Sequence, residues 1–485
     1  MAYKTGNRYQ ISFLPDRIDN YVGEEDPVRI YDMFVENLNI EELGIKLEET
    51  KLGRSSYEPK SMLKLLVYGY SYGWRSSRKL ERAVHHNLSF IWLMGGLKPD
   101  HKTISRFRKD NKEVLKKVLK QCVRICMELN LIEGNTLFLD GSKIRGNASI
   151  NQTRTKEGMK NTIEKIEKRI EEILEECNKI DKKEKESLVK ISKELKDKKN
   201  LKEKMEKAIK KIEEEEKEKI NLTDKECVII KGRQGTHAGY NAQMVVDEKN
   251  GLIVNVDVVS ESNDMNQFSK QIKNANEVLA KKCQTACADA GYSKADNLKE
   301  IVEEGIEVIV PSQRQALHNA KEDNKFRKDK FKYDKEKNCY ICPKGKELKY
   351  DSFDKSKNSY KYIIKERKNC LECNYYGECT KGKKGRTINR LKEEETKEML
   401  EKIYESKEGQ EVYEKRKSKV ELPFGHIKRN LNGGAFLLRG IEGANAEMSI
   451  NSICFNLVRM KTLLGGVCKF ISELSKIKRN TIKIC

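Results

Sequence analysis

Between residues 59 and 130 the apolar positions recur at helical spacing. In "PKSMLKLLVYGYSYG", Met62, Leu65, Leu66 and Tyr70 fall on one stripe. "SSRKLERAVHHNLSFIWLMGG" and "DHKTISRFRKDNKEVLKKVLKQCVRICMEL" follow, parted by Gly95, Gly96 and Pro99, with Asp100 or Thr103 placed to cap the last helix. The pattern then changes. "NTLFLD" reads as a buried strand that closes on Asp140, with Gly141 letting the chain turn away. From 155 to 215, Ile163, Ile166, Ile170, Ile173, Cys177 and Ile180 keep a 3-4-3-4-3 spacing, the seam of a coiled coil. "KIDKKEKE" breaks it, and Leu201, Met205, Ala208 and Ile212 resume it, so a helical hairpin is expected, packed on itself or used for dimerisation. β-rich runs return at 239–260 around Asn250-Gly251, a hairpin signal. A helix should start near Ser262 or Asp264. "QTACADAGYS" is a short strand ending on Asp289, "SKADNLKEIVEEG" a helix with Ser293 and Asp296 as a cap pair, and "IEVIVPS" another strand. Helices resume at 394–417 and 443–465. Strands alternating with helices after an all-helical start predict an α/β chain: a mixed-sheet core behind an N-terminal helical domain, interrupted by a coiled-coil and a cysteine-rich insertion.

Charge adds a partner to this picture. The chain of 485 residues carries 98 Lys and Arg against 76 Asp and Glu, a formal net charge of +22. That excess suits a polyanion, with nucleic acid first, although lysine-rich solvated helix faces give the same count. Short helices with interleaved Arg and Lys suit a helix-turn-helix-like DNA reader as well as an ordinary basic bundle. The tract "GYSYGWRSSRKLERAVHH" and the helix after it make Arg75, Arg78, Lys79, Lys102, Arg106 and Arg108 candidates for phosphate or base-edge contacts. No apolar run of about 18 residues could span a membrane, and the first twenty residues lack the apolar core of a signal peptide. A cytoplasmic protein is expected, its 14 cysteines being thiols or metal ligands.

Two aspartates carry the candidate chemistry. Asp140 and Asp289 each end an apolar strand and precede small residues. One such Asp is most often a turn residue. Two in a β-hairpin-β arrangement make a hard-cation site a competitive reading, since Mg²⁺ wants oxygen ligands on a rigid support. A third acid, Glu421, lies in "YEKRKSKVELPFGHIKRN" among Arg416, Lys417, Lys419, Lys428 and Arg429. Val420, Leu422 and Phe424 flank it, so it is expected half-buried, with Pro423 and Gly425 kinking or restarting the helix. His237 and His426 are expected to be structural. A second cluster is Cys339-x-x-Cys342, Cys370-x-x-Cys373 and Cys379, a candidate structural Zn²⁺ site using four of the five. Cys339 and Cys379 compete to join Cys342, Cys370 and Cys373.

"DGSKIRGNAS", "ADAGY" and "VELPFGHIKRN" resemble the three acidic motifs of bacterial insertion-sequence DDE transposases, in the branch with a Tyr-Arg-Glu-Lys signature. "LLVYGYSYGWRSSRKLERAVHHNLSFIWLMGGLKPDHKTISRFR" independently resembles their N-terminal domain. The resemblance implies a ribonuclease-H-like core in which Asp140, Asp289 and Glu421 hold two Mg²⁺ or Mn²⁺ ions. Tyr413, Arg416, Glu421 and Lys428 would form the signature. The family keeps three residues between Arg and Glu; Arg416 has four between and Lys417 has three, so either could fill the place. Lys143 and Arg145 would lie beside DNA phosphates. Implied with this are double-stranded DNA as partner (element ends and target), a homodimer or higher oligomer, and work at the bacterial nucleoid. The expected organisation is 1–130 for DNA-end binding, 131–154, 225–312 and 395–470 for the catalytic core, 155–224 for the coiled coil, 313–394 for the cysteine-rich insertion and 471–485 as a basic tail. A DNA-binding module without chemistry, and a nuclease that cuts without joining, remain alternatives.

Overall fold

The computed structural model describes residues 17–45, 57–179, 185–232, 235–316, 325–356 and 358–482. The chain divides into two compact units, Met1–Gln284 with Lys415–Cys485, and Thr285–Glu414.

The first unit begins with helices. Those that matter for the site are α1 (Pro59–Ser71), α2 (Ser77–His86), α3 (His101–Asp110) and α4 (Lys112–Glu128). The expected stripe of α1 is buried, and so are Leu63, Val67 and Tyr68 beside it. Asp100, rather than Thr103, caps α3, accepting from the Thr103 N–H at 2.7 Å. These helices lead into β1 (Thr136–Arg145). Leu137, Phe138 and Leu139 are fully buried, each contributing about 2 kcal/mol of apolar burial. Beyond them β1 does not stop. It pairs antiparallel past Asp140, which faces Met244, to Arg145, which faces Gly239. The expectation of a strand ending on Asp140 is corrected: the ladder partner continues, so the strand does too.

An inserted pair, α5 (Lys156–Lys179) and α6 (Lys185–Glu214), buries Ile166 and Ile173 from the first run and Met205, Ala208 and Ile212 from the second. Leu201 is exposed, and the Cys177 side chain and Ile180 lie outside the described residues. Short strands Thr153–Thr155 and Lys219–Asn221 close the base of the insertion. The sheet resumes with β2 (Val228–Gly232), β3 (Gly235–Asp247) and β4 (Ile253–Val259). β3 pairs with β1, β2 and β4, all antiparallel. The expected hairpin turn is present, with Gly251 at φ +68°, a conformation glycine adopts without strain. The helix expected near Ser262 or Asp264 starts later, as α7 (Phe268–Leu279).

In the second unit, β5 (Thr285–Cys287) runs parallel to β6 (Glu307–Ile309), with α8 (Ala295–Glu303) between them in sequence. The Ser293/Asp296 cap is not formed; Lys294 is the N-cap. An antiparallel sheet follows in the order β11-β10-β9-β8-β7, made of β7 (Lys332–Asp334), β8 (Cys339–Ile341), β9 (Glu347–Asp354), β10 (Ser359–Ile363) and β11 (Thr387–Leu391). Then comes α9 (Glu394–Glu405), and α10 (Lys407–Arg429) begins in this unit and belongs to the first from Lys415 on. Pro423 sits inside α10, which is one continuous helix, so the expected restart at that residue is corrected.

The closing helices, α11 (Ile441–Leu464) and α12 (Val467–Ile482), belong to the first unit. α11 is buried nearly all round and packs against α1, α4 and β4. Its polar residues satisfy the side of β4 away from β3. Asn456 accepts from the Ile253 N–H and donates to the Ile253 carbonyl, both at 2.9 Å. Asn445, three turns earlier, does the same at Val258, at 2.8 and 3.2 Å. A primary amide has the donor and the acceptor that one strand residue presents at a sheet edge. The chain is thus mixed α/β with a helical N-terminal region.

Candidate active site

Asp140 projects from mid-β1 with 22% of its side chain exposed, and the Arg416 guanidinium of α10 lies 3.7 Å from its carboxylate. Two residues on, the same strand face presents Ser142, whose hydroxyl accepts from the Lys428 ammonium. Glu421 lies between these two contacts along α10. Seven residues separate it from Lys428, close to two full turns, so the two share a helix face. The helix is also clipped to the β3–β4 turn. Lys415 pairs with Glu248 at 2.8 Å, and Lys419 donates to the Lys249 carbonyl at 3.2 Å. Four cations on one helix thus grip a strand and a turn while leaving an acid among them.

Glu421 is exposed, not half-buried. Val420 and Phe424 face the core as expected, but Leu422 is 48% exposed and cannot shield it. Of the two candidates for the signature place, Arg416 reaches Asp140, while Lys417 is exposed. Asp289 lies in the second unit, two residues beyond β5, where its carboxylate accepts from the Gly291 N–H at 2.8 Å. Tyr413, also in the second unit, stands edge-on to Tyr404 with ring centroids 5.1 Å apart. Among the described residues, no three His, Cys, Asp or Glu side chains are set around a single point that a metal could fill.

The basic candidates part company. Arg78, Lys102 and Arg106 line one open cleft with Ser77, His101, Ser105, Lys109 and Asp110, and Lys79 is exposed on α2. Arg75 and Arg108 are buried. Arg75 donates to the Ala435 carbonyl at 2.7 Å; Arg108 donates to the Arg75 carbonyl at 2.7 Å and the Tyr70 hydroxyl at 3.1 Å. Both are spent inside the fold, which corrects their reading as DNA contacts. Lys143 pairs with Asp264 at 3.4 Å, a carboxylate that Asn241 and Gln243 also donate to. Arg145, at the strand end, is exposed. His426 stacks edge-on against Phe455, and burial holds its pKa below the ordinary value. His237 is lowered likewise, by burial first and then by Arg145.

One group escaped the sequence reading. Glu447, fully buried on α11, accepts from the Tyr70 hydroxyl at 2.9 Å and from the Leu437 and Leu438 N–H groups. With Arg108 on Tyr70 and Arg75 on Ala435, it ties the N-terminal helices to the loop after α10. An acid inside the apolar run "ANAEMSINSICFN" was the available signal.

A helical N-terminal region feeds a mixed α/β arrangement in which the basic face of a late helix binds an acid on β1. Residues 16–110 match the family described as Transposase domain (DUF772), and residues 341–461, which include Glu421 and its signature neighbours, match the family described as Transposase DDE domain. Both matched stretches are described as transposase domains, and they support a DDE transposase. No curated protein matches the chain. A solved structure of the piggyBac transposase synaptic complex with hairpin DNA is similar at 10% identity and a TM-score of 0.32, over 93% of this chain and 79% of that one.

Proposed function

We propose that the protein binds the inverted-repeat ends of its own element, cleaves a phosphodiester there and joins the freed 3′-hydroxyls to target DNA. The observation that carries this reading is the double tie between α10 and β1, Arg416 to Asp140 and Lys428 to Ser142, with Glu421 between. A helix held at both ends over a strand keeps its acid on a rigid support, as phosphoryl transfer by positioning and charge requires.

In this proposal Asp140, Asp289 and Glu421 hold two Mg²⁺ or Mn²⁺ ions within a ribonuclease-H-like core. Their carboxylate oxygens are the hard donors such cations take. When bound, divalent ions supply Lewis-acid charge to the attacking and leaving oxygens. Water is the first nucleophile, breaking a P–O bond and leaving a 3′-hydroxyl. That hydroxyl then attacks a target phosphodiester, exchanging one P–O bond for another with no covalent protein intermediate. Arg416 fixes the Asp140 carboxylate, and Lys428 anchors the far end of α10. Residues 1–130 grip the ends through Arg78, Lys79, Lys102 and Arg106, with Arg145 beside them. Two ends must be held together, so the working form is a homodimer or higher oligomer, acting at the nucleoid in the cytoplasm.

In Asp140→Ala and Glu421→Gln proteins, end binding should survive in a gel-shift assay while cleavage and joining disappear. Cleavage at the wild-type rate by either variant would contradict the proposal. Binding without Mg²⁺-dependent nicking by the wild type would favour the DNA-binding module, and cutting without joining the nuclease.

A further inference from the structure

Cys339 and Cys379, which compete for the fourth place beside Cys342, Cys370 and Cys373, lie in different surroundings. Cys342, Cys370, Cys373 and Cys379 line one cavity, and the Cys342, Cys370 and Cys373 sulfurs all lie within electrostatic range of Cys379. Cys339 does not line it. It is buried in β8, between Asp334 and Lys349 of the flanking strands.

Backbone amides point at two of the sulfurs. After Cys342 the chain makes a tight turn, closed by the Gly345 N–H on the Cys342 carbonyl at 2.8 Å, with Gly345 at φ +74°. The Lys346 N–H then donates to the Cys342 sulfur at 3.3 Å. A separate loop does the same for Cys370: the Arg386 N–H donates to its sulfur at 3.5 Å. That loop comes so close that a Cβ on Gly385 (φ +81°) would stand 2.6 Å from Ile364 and 3.3 Å from the Cys370 sulfur. Amide donors of this kind orient thiolate ligands and offset their charge. Lys344, Lys346, Lys368 and Arg386 also line the cavity, placing positive charge around the four sulfurs.

We propose that Cys342, Cys370, Cys373 and Cys379 form a structural, tetrahedral Zn²⁺ site, and that Cys339 is a core residue outside it. Binding replaces four S–H protons by four Zn–S bonds, releasing four protons and leaving a site of net charge −2 that the surrounding cations offset. The thiols do not yet close on one point, so side-chain rotation draws them to the roughly 2.3 Å of a Zn–S bond. The site borders a cluster of Phe331, Tyr340, Leu348, Tyr362, Ile364 and Ile388, with Cys342, Cys370 and Cys379 packed on its edge, so metal should stabilise the whole five-stranded sheet.

The test is metal content and Co²⁺ spectroscopy on the full chain, independent of any DNA reaction. The wild type should carry about one zinc per chain after dialysis, and Co²⁺ exchanged into it should give the intense visible bands of a tetrahedral all-thiolate site. Cys339→Ser should keep both properties, and Cys379→Ser should lose or broadly weaken the Co²⁺ bands. A wild type that retains no zinc, or a Cys339→Ser protein that loses it, overturns the assignment even if transposition is intact. Zinc retained by a protein with no DNA activity would leave this site standing and sink only the catalytic reading.

Discussion

At the scale of single residues, position on a helix decides which cation matters. Arg416 and Lys417 are neighbours in sequence but about 100° apart around α10. One reaches the Asp140 carboxylate and the other faces outward. Arg416→Ala should therefore slow DNA cleavage at least about tenfold, a loss of about 1.4 kcal/mol of transition-state stabilisation, while Lys417→Ala should stay within about twofold. Cleavage rates under single-turnover conditions check this, and equal effects would undo the assignment. Counting residues to the glutamate favoured Lys417; side-chain reach from the helix favours Arg416. That choice could not be read from spacing, because spacing does not say where the facing strand lies.

At the scale of elements, the chain relies on helices to finish its sheet. β4 offers backbone groups that α11 satisfies with two asparagines. Asn456→Leu keeps the volume but leaves the buried Ile253 N–H and carbonyl unpaired, at a cost of about 2–3 kcal/mol. The denaturation midpoint of the first unit should fall accordingly, and an unchanged midpoint would mean that water replaces the amide. Long periodic elements were legible in sequence: the α1 stripe, much of the α5–α6 seam and the Asn250-Gly251 hairpin all occur at their expected places. β1 was legible only to Asp140. The apolar run breaks there and only Ile144 is buried beyond it, but the strand continues because β3 supplies backbone partners to Arg145, and pairing leaves no trace in one strand's own sequence. Glu421's exposure was misjudged for a related reason. Apolar neighbours along a helix point to several faces, so proximity in sequence does not imply burial.

At the scale of the whole molecule, a net charge of +22 fits the proposed DNA binding, which should be steeply salt-dependent. The cleft cations should each contribute a countable share. Arg78→Ala or Arg106→Ala should lower the slope of log K against log salt by about 1, whereas Arg75→Ala should destabilise the fold through its lost contact with the Ala435 carbonyl. Composition suggested a polyanionic partner, and the ordered motifs pointed to the transposase families that match at 16–110 and 341–461. Which arginines are buried was invisible, because Arg75 and Arg108 differ from their neighbours only in what packs over them. The central claim is that Asp140, Asp289 and Glu421 share one metal centre although the chain separates them by two insertions. Fe²⁺ substituted for Mg²⁺, with ascorbate and peroxide, cuts polypeptide next to where the ion is bound. The account predicts cuts near all three acids in the DNA-bound wild type, suppressed by excess Mg²⁺ and lost in Asp140→Ala; cuts at one acid alone, in a protein that still cleaves DNA, would contradict it.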